Sequence, residues 1–591
     1  MTQNNGLIET LPTEIFHRIF DYLNVQTILL SIRYVCRQLN ALTNTYDRYD
    51  LNLNLISKVS FIRICHLIQP ESIISLTFAD DDKQPGQFEL FLSLVNIQKL
   101  RRIRSLTFLG IDEITFHVIV NTLNIDLLHR FTIKIIEYDE RRWNTTNKIL
   151  TRICSQVNLY NLDLNIENRR LKTLIWPLHC SIKKLTINDS IDFDYICQIL
   201  KCSPQLKIFV LNYSLHSMLH GHILTSTLSP LFQQLISLTI EHYDTAIETL
   251  ESFLKLMPSL IHLKLIGESV SYDHLDGYRW EQFIEKNLPK LNKFEFFFVW
   301  CHASLPILDH IERLITHYRS LFWIETKQWF VYIEELTDSS QAICLYSTPS
   351  CISNFKYEIS PHKILLSSPI EINRNNLLIT DYVDTLFLTL NEELANYLKD
   401  DSKILKKPLF HKATKLNIDL PSDQVAIEPY NISQLIDFSK IIEIKLKCSS
   451  SKSHHDRTVW MNLSLLISLA SNLSSLIILD LSDSLETLDT EHVLSMIPPG
   501  IKNLQMSIND LDQTQMIIQQ CSLSWAKFDV YNQSLKDQLI AWLNKCTGNS
   551  TYKTEWGMIS IWFGTKQNAQ LSKLRTRHKR IKLSNHNRVT S

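Results

Sequence analysis

From about residue 70 onward the chain repeats one short pattern, apolar-x-x-apolar-x-apolar. It appears as Ile73-x-x-Leu76-x-Phe78, Ile103-x-x-Leu106-x-Phe108, Leu128-x-x-Phe131-x-Ile133 and Leu159-x-x-Leu162-x-Leu164. It continues through Ile182-x-x-Leu185-x-Ile187, Leu206-x-x-Phe209-x-Leu211, Leu235-x-x-Leu238-x-Ile240, Leu260-x-x-Leu263-x-Leu265 and Leu291-x-x-Phe294-x-Phe296. Its central positions, 76, 106, 131, 162, 185, 209, 238, 263 and 294, step by 23 to 31 residues. Weaker versions at Leu321 and Phe355 bridge to a second series near Leu386, Leu416, Ile444, Leu479, Leu504 and Phe528. Alternation within each match predicts a strand with one buried face. Between the strands lie helix-like pieces, at 192–202, 245–257, 278–287, 305–318 and 534–545. Pro204, Pro258 and Pro289 follow three of them as stop signals. Units of strand, loop and helix joined by crossovers make parallel strands. A unit this small cannot bury its own faces, so the units must stack. The expected result is a curved α/β solenoid. Two β-prone runs, Trp329–Ile333 and Ala342–Tyr346, flank the polar turn Thr337-Asp338-Ser339-Ser340 and predict a hairpin that divides the array into two arcs.

The front of the chain reads differently. Between Leu11 and Leu42, apolar residues fall at Ile15, Phe16, Ile19, Phe20 and Leu23, then Ile28, Leu29 and Ile32, then Val35, Leu39 and Leu42. Leu11-Pro12 opens the first helix and Asn24 breaks it. Three helices this short cannot enclose a core alone, so at least one apolar face must be covered by something else.

The segment Leu11-Pro12-x-Glu14-Ile15-Phe16-x-x-Ile19-Phe20-x-Tyr22-Leu23, followed by Val35-Cys36-Arg37, resembles an F-box. Thr27 stands where that family usually has an acidic residue, and Leu39 follows where it favours Trp. The resemblance implies docking on a Skp1-like adaptor, and through it a cullin, by Leu11, Pro12, Ile15, Phe16, Ile19, Phe20, Leu23, Val35 and Cys36. The same helices also fit an amphipathic cap on the next domain. The repeats resemble leucine-rich repeats in their L-x-x-L-x-L opening. The family's following Asn or Cys is absent, its place taken by Ser190, Ser214, Tyr243 and Glu268 in four consecutive units. The expected fold class is therefore α/β: a three-helix F-box, then an irregular leucine-rich-repeat-like solenoid with parallel strands. The expected division is F-box 7–50, first arc 55–320, an irregular segment 321–380, second arc 381–548 and a basic tail 565–591.

Composition narrows the function. Charged residues are 20% and apolar residues 45%, the balance of a folded chain. A formal net charge of −1 gives no global attraction to nucleic acid or membrane. Residues 1–10 lack a signal-peptide pattern and no stretch approaches a membrane span, so a cytoplasmic or nuclear protein is expected. The 12 cysteines form no CxxC pair and read as buried thiols. The tail from Lys566 carries eight Lys or Arg, a solvated end or a nuclear localisation signal.

Candidate chemistry is sparse. No GxGxxG, P-loop or GxSxG is present. His216, His220 and His222 have no acidic or thiol neighbour, and His454-His455 lies in a polar loop. Glu334-Glu335 and Asp80-Asp81-Asp82 read as solvated turns. No catalytic residues, metal site or cofactor are expected, and the chain is read as a non-enzyme. The residues between the last two apolar positions of each unit should share one face, taken as concave. Among them Thr107, Asp163, Thr186, Thr239, Lys264 and Glu295 are the candidate substrate contacts, with Lys445, Asp480, Gln505 and Asp529 in the later arc. That row lacks the Lys/Arg stripe that a phosphate backbone requires, which favours a protein substrate over nucleic acid. Tyr278, Trp280, Phe296, Phe297, Phe298 and Trp300 are either interface anchors or core. Three roles stay open: substrate receptor of a ubiquitin ligase, plain interaction scaffold, and nucleic-acid binder working through the tail.

Overall fold

A computed structural model of the chain describes residues 11–137, 140–212, 232–301, 308–336 and 342–348. Beyond these it describes 352, 354–357, 364–367, 383–390, 394, 408–420, 432–448, 464–480, 497–498, 500–508, 510–530, 532–546, 550–555 and 557–564. The His216 cluster, His454-His455, the turn at 337–340 and the basic tail lie outside the described residues.

Short helices lead: α1 (Thr13–Phe20), α2 (Val25–Leu30) and α3 (Arg37–Thr45). The first strands are β1 (Tyr49–Asn52), β2 (Ile73–Ala79), β3 (Ser105–Asp112), β4 (Arg130–Glu137) and β5 (Asn161–Asn165). They are followed by β6 (Lys184–Ile187), β7 (Ile208–Leu211), β8 (Ser237–Glu241), β9 (His262–Gly267) and β10 (Lys293–Cys301). All ten pair in chain order and in parallel. The helices between them include α4 (Lys58–Leu67), α5 (Gln87–Leu94), α6 (Glu113–Thr122), α7 (Trp143–Cys154) and α8 (Asn168–Leu171). Each of the five helix-like pieces picked out by sequence pattern contains a helix, at Phe193–Cys202, Ile247–Leu254, Gly277–Asn287, Leu308–His317 and Gln533–Cys546.

Register shows why the pattern recurs. Leu76, Leu106, Phe131, Leu162, Leu185, Phe209, Leu238, Leu263 and Phe294 are successive Cα partners, forming one apolar row across nine strands. All nine are buried. Each unit thus contributes one rung to a continuous core, as stacking of dependent units requires.

The expected hairpin is present: β11 (Val331–Leu336) and β12 (Ala342–Ser347) pair antiparallel. Through β12 against β10 the hairpin ends the parallel run of the first sheet. The chain then crosses between sheets. Strand β13 (Asn354–Tyr357) starts a second sheet, while β14 (Ile364–Leu366) returns to pair with β11 of the first. The second sheet continues with β15 (Thr385–Thr389), β16 (Lys415–Leu420), β17 (Glu443–Cys448), β18 (Ser475–Asp480), β19 (Asn503–Ile508) and β20 (Trp525–Val530), all parallel. An antiparallel pair, β21 (Thr551–Glu555) and β22 (Met558–Trp562), closes it through β22 on β20. Phe355 joins the apolar row of this sheet, whereas Leu321 is exposed at a helix end.

Two expected positions of the second series shift. Ile444 pairs with Leu476, not Leu479, and Leu504 pairs with Ala526, not Phe528. The outward row is therefore Lys445, Ile477, Gln505 and Lys527, rather than Lys445, Asp480, Gln505 and Asp529. The run Leu476-Ile477-Ile478-Leu479 is apolar in both alternations, so only the neighbouring strand fixes its frame.

The last strands pack against the first. Trp562 is buried in the core of the first sheet, its ring edge-on to Phe61 at 5.4 Å, its Nε1 donating to the Ile56 carbonyl at 3.2 Å. Trp525 Nε1 donates to the Asp82 carbonyl at 2.6 Å, 443 residues away in sequence, and Lys527 Nζ pairs with the Asp82 carboxylate at 2.5 Å. The Asp80–Asp82 turn is thus a half-buried seam and not a solvated loop. Asp80 accepts from the Gly86 and Gln87 amides, and burial pushes its carboxyl up to about 6. At the other end Ile266, Cys344 and Tyr346 of the first sheet sit in the core of the second. The two sheets therefore share core residues at both junctions. Among the described residues, no helix is long and apolar enough to cross a membrane.

Most of the aromatic group around Trp280 is core: Trp280, Phe296 and Phe298 are buried, while Tyr278 is exposed. Beside them His274 is fully buried, with Nδ1 at 3.0 Å from Ser271 Oγ and its ring 5.6 Å from Tyr243. Burial pushes its pKa down to about 4. The unfolded chain then binds a proton near pH 6.5 and the folded chain near 4, so His274 costs stability as pH falls through that interval. Its share is about 3 kcal/mol once pH is below 4. Asp80 works in the opposite direction, since its raised pKa favours the folded state at low pH. His274→Leu should therefore flatten the difference between denaturant midpoints at pH 7 and pH 4.5 relative to wild type. An unchanged difference would contradict the assignment.

Candidate functional site

The N-terminal helices carry two adjacent apolar stripes on α1, and the fold uses them differently. Pro12 precedes the helix, and its carbonyl accepts from the Ile15 amide at 3.1 Å. The Asn24 side chain caps α2 through the Thr27 amide at 2.7 Å, and Cys36 Sγ caps α3 through the Leu39 amide at 3.4 Å. Phe16 and Phe20 turn inward, where Phe20 meets Tyr46 edge-on at 5.5 Å. Tyr46 donates to Asp21 at 2.8 Å and contacts Tyr49, tying α1 to the start of β1. Burial, reinforced by the Asp21 carboxylate, pushes the Tyr46 phenol well above its usual range. Val25, Ile28 and Leu29 of α2 are buried, and α2 packs on α4 and β1.

The other stripe faces solvent. Leu11, just ahead of α1, and Ile15 and Ile19 along it are exposed, Ile19 by 44%, and Val35 is exposed by 71%. Phe16 and Phe20, expected as adaptor contacts, are instead internal at 4% and 2%, and Leu23 is half-buried against the same core. The reason is packing: the Phe20 ring sits against Tyr46 and Phe16 joins the same core, leaving the aliphatic pair outside. Pro12 is exposed and Cys36 half-buried, acting locally as a cap. Sequence reasoning did not count Tyr22 and Tyr34 as contacts, yet they are among the most open aromatics here, Tyr22 at 91%. Their positions beside Leu23 and Val35 were the only signal. Leu11, Ile15, Ile19 and Val35 are thus left bare beside a well-packed interior.

The second candidate set lies on the sheets. Thr77, Thr107, Thr132, Asp163, Thr186, Val210, Thr239, Lys264 and Glu295 are successive Cα partners, so the structure brings the proposed contacts into one row. Most are half-exposed on the face opposite the core; Thr186 is buried and is not available to a partner. The row is already internally bonded. Asp163 accepts from Asn188 at 2.6 Å, and Asn188 accepts from Asn212 at 2.7 Å. Lys264 pairs with Glu241 at 2.7 Å, while Glu295 takes both His262 at 2.5 Å and Lys293 at 2.9 Å. Burial raises the Glu295 carboxyl, but bonds from His262 and Lys293 outweigh it and hold the group down at about 2. Among the described residues no three His, Cys, Asp or Glu side chains gather as metal ligands would.

Comparison with protein-family models matches an F-box-like domain at residues 8–48, the segment that holds α1, α2 and α3. No curated protein matches the chain.

Proposed function

We propose that this chain is the substrate-recognition subunit of a Skp1–cullin–F-box ubiquitin ligase. The observation that carries the reading is the bare stripe of Leu11, Ile15 and Ile19, with Val35 exposed as well, on a domain matched as F-box-like. Domains of this kind generally bind Skp1-like adaptors. In this reading the stripe docks on the adaptor, and the stacked strand-and-helix units, a leucine-rich-repeat-like solenoid, hold a protein substrate. The chain itself is non-catalytic. It holds the substrate close to the transferring enzyme and makes transfer effectively intramolecular.

The test is co-purification with a Skp1-like adaptor. Ile15→Asp with Ile19→Asp places two charges at the centre of the stripe, where desolvating them opposes docking. Capture should be lost while the thermal midpoint hardly moves, because exposed substitutions change stability by about 0.5 kcal/mol or less each. Leu11→Ala with Pro12→Ala should weaken capture less. Full capture by the Ile15/Ile19 variant would contradict the assigned surface, and no capture by wild type would favour a plain scaffold whose front helices only cap the repeats.

A further inference from the structure

The two junctions between the sheets are built differently. At the hairpin end the contacts are apolar and aromatic: Tyr346 stacks on Phe297 at 6.1 Å and on Tyr332 at 5.5 Å, beside buried Ile266 and Cys344. At the Trp562 end the seam carries backbone strain and buried charge. Leu55 lies in left-handed backbone, with φ at 57°, although its side chain is exposed and gains no packing there. That conformation is disfavoured for a bulky side chain. Buried Gln84 holds it, its Oε1 accepting from the Leu55 amide at 2.6 Å and its Nε2 donating to the Ile56 carbonyl at 3.0 Å. Gln87, also buried, donates to the Leu53 carbonyl at 2.8 Å, and Trp562 Nε1 shares the Ile56 carbonyl with Gln84. The Lys58 ammonium is buried between Thr551 Oγ1 and the Trp562 ring. Among the described residues no carboxylate pairs with it, and burial alone moves its pKa. Asp80 and Asp81 lie half-buried in the same seam, where burial raises both carboxyls.

We propose that this seam is a latch: residues 53–58, 80–87 and 551–562 part from one another as one unit while both sheets stay folded and the hairpin junction holds. Opening relieves what closure imposes. Leu55 leaves the left-handed region, and the Lys58 ammonium regains the hydration that burial removed. Against this stand the packing of Trp562 on Phe61 and the bonds of Asp82 with Trp525 and Lys527. Parting the seam breaks no strand pairing, because the two sheets are separate ladders among the described residues. β21 and β22 stay joined to β20, and β1 stays joined to β2. Strands β5 to β8, by contrast, sit inside a continuous parallel ladder with apolar rows on either side. A segment of low local stability opens without the rest of its fold. The inference goes beyond the receptor reading and holds whatever the front helices bind.

The test is native-state hydrogen exchange of the full chain, read by mass spectrometry across a series of sub-denaturing guanidinium concentrations. In wild type the three segments should exchange at one common rate, nearly independent of denaturant and at least about 100-fold faster than β5 to β8, as a sub-global opening does. Two substitutions should hold the latch closed. Leu55→Asn suits the left-handed backbone, and Lys58→Met removes the ammonium while keeping an unbranched side chain against the Trp562 ring. Each should slow exchange in all three segments at least about ten-fold, since each removes a cost carried only by the closed form. Gln84→Ala, which frees Leu55, should speed exchange in all three. Exchange of the three segments at the rate of β5 to β8, three unrelated rates, or failure of either Leu55→Asn or Lys58→Met to slow them would overturn the proposal.

Discussion

Trp562→Ala should loosen both ends of the chain at once. The ring is almost wholly buried, lies edge-on to Phe61, covers the Lys58 ammonium at 5.5 Å and donates to the Ile56 carbonyl. Truncating a buried tryptophan costs about 3–5 kcal/mol through lost contacts and the cavity left behind. Here the cavity lies between segments 506 residues apart. Lys58 adds to the vulnerability: burial pushes its pKa down to about 8, and Thr551 Oγ1 is its bonded neighbour at 3.4 Å. Hydrogen exchange should therefore speed up in residues 56–67 and 551–562 together, while strands β5 to β8 keep their protection. By contrast Lys527→Ala removes a partly exposed pair with Asp82 and should cost about 1 kcal/mol or less. Faster exchange confined to the C-terminal strands would show that the seam does not hold.

Arg170→Met should be the most damaging substitution within the repeats. Arg170 and Glu113 form an ion pair whose side chains are only 2% and 1% exposed. Glu113 also accepts from Thr146, which is 2.6 Å from His117 Nε2, and the Arg170 guanidinium lies 5.1 Å over the Trp143 ring. The network joins α6, α7 and α8, one from each of three successive units. Removing the arginine leaves a carboxylate in the interior, a change that typically costs about 3–5 kcal/mol. Replacing both charges, with Glu113→Leu added, should recover much of that loss, because the pair itself contributes little beyond what apolar packing would. Native-state exchange across residues 113–173 measures both. A double variant as unstable as the sum of its parts would show that the two charges act independently.

How far the sequence revealed this arrangement depended on the range of the contacts. The apolar row from Leu76 to Phe294 was legible because every unit repeats the same local alternation and parallel register keeps it aligned. At Leu476–Leu479 the alternation is ambiguous, and the neighbouring strand decides. On α1 the pairs 15/19 and 16/20 are both apolar at helical spacing, so periodicity identified the helix but not its inner face; Tyr46 decides that. The seam at Trp562 and the Glu113–Arg170 pair had no local signature, since each joins ordinary residues far apart in the chain.

Under the proposed function the front helices keep an aliphatic stripe open for an adaptor while their inner face stays packed on α4 and β1. Calorimetric titration of a purified Skp1-like adaptor into the full chain tests it most directly, comparing wild type with Ile15→Asp/Ile19→Asp. Wild type should bind, and the stripe variant should bind at least about 100-fold more weakly, roughly 2.7 kcal/mol. Equal binding by the stripe variant, or none by wild type, would contradict it.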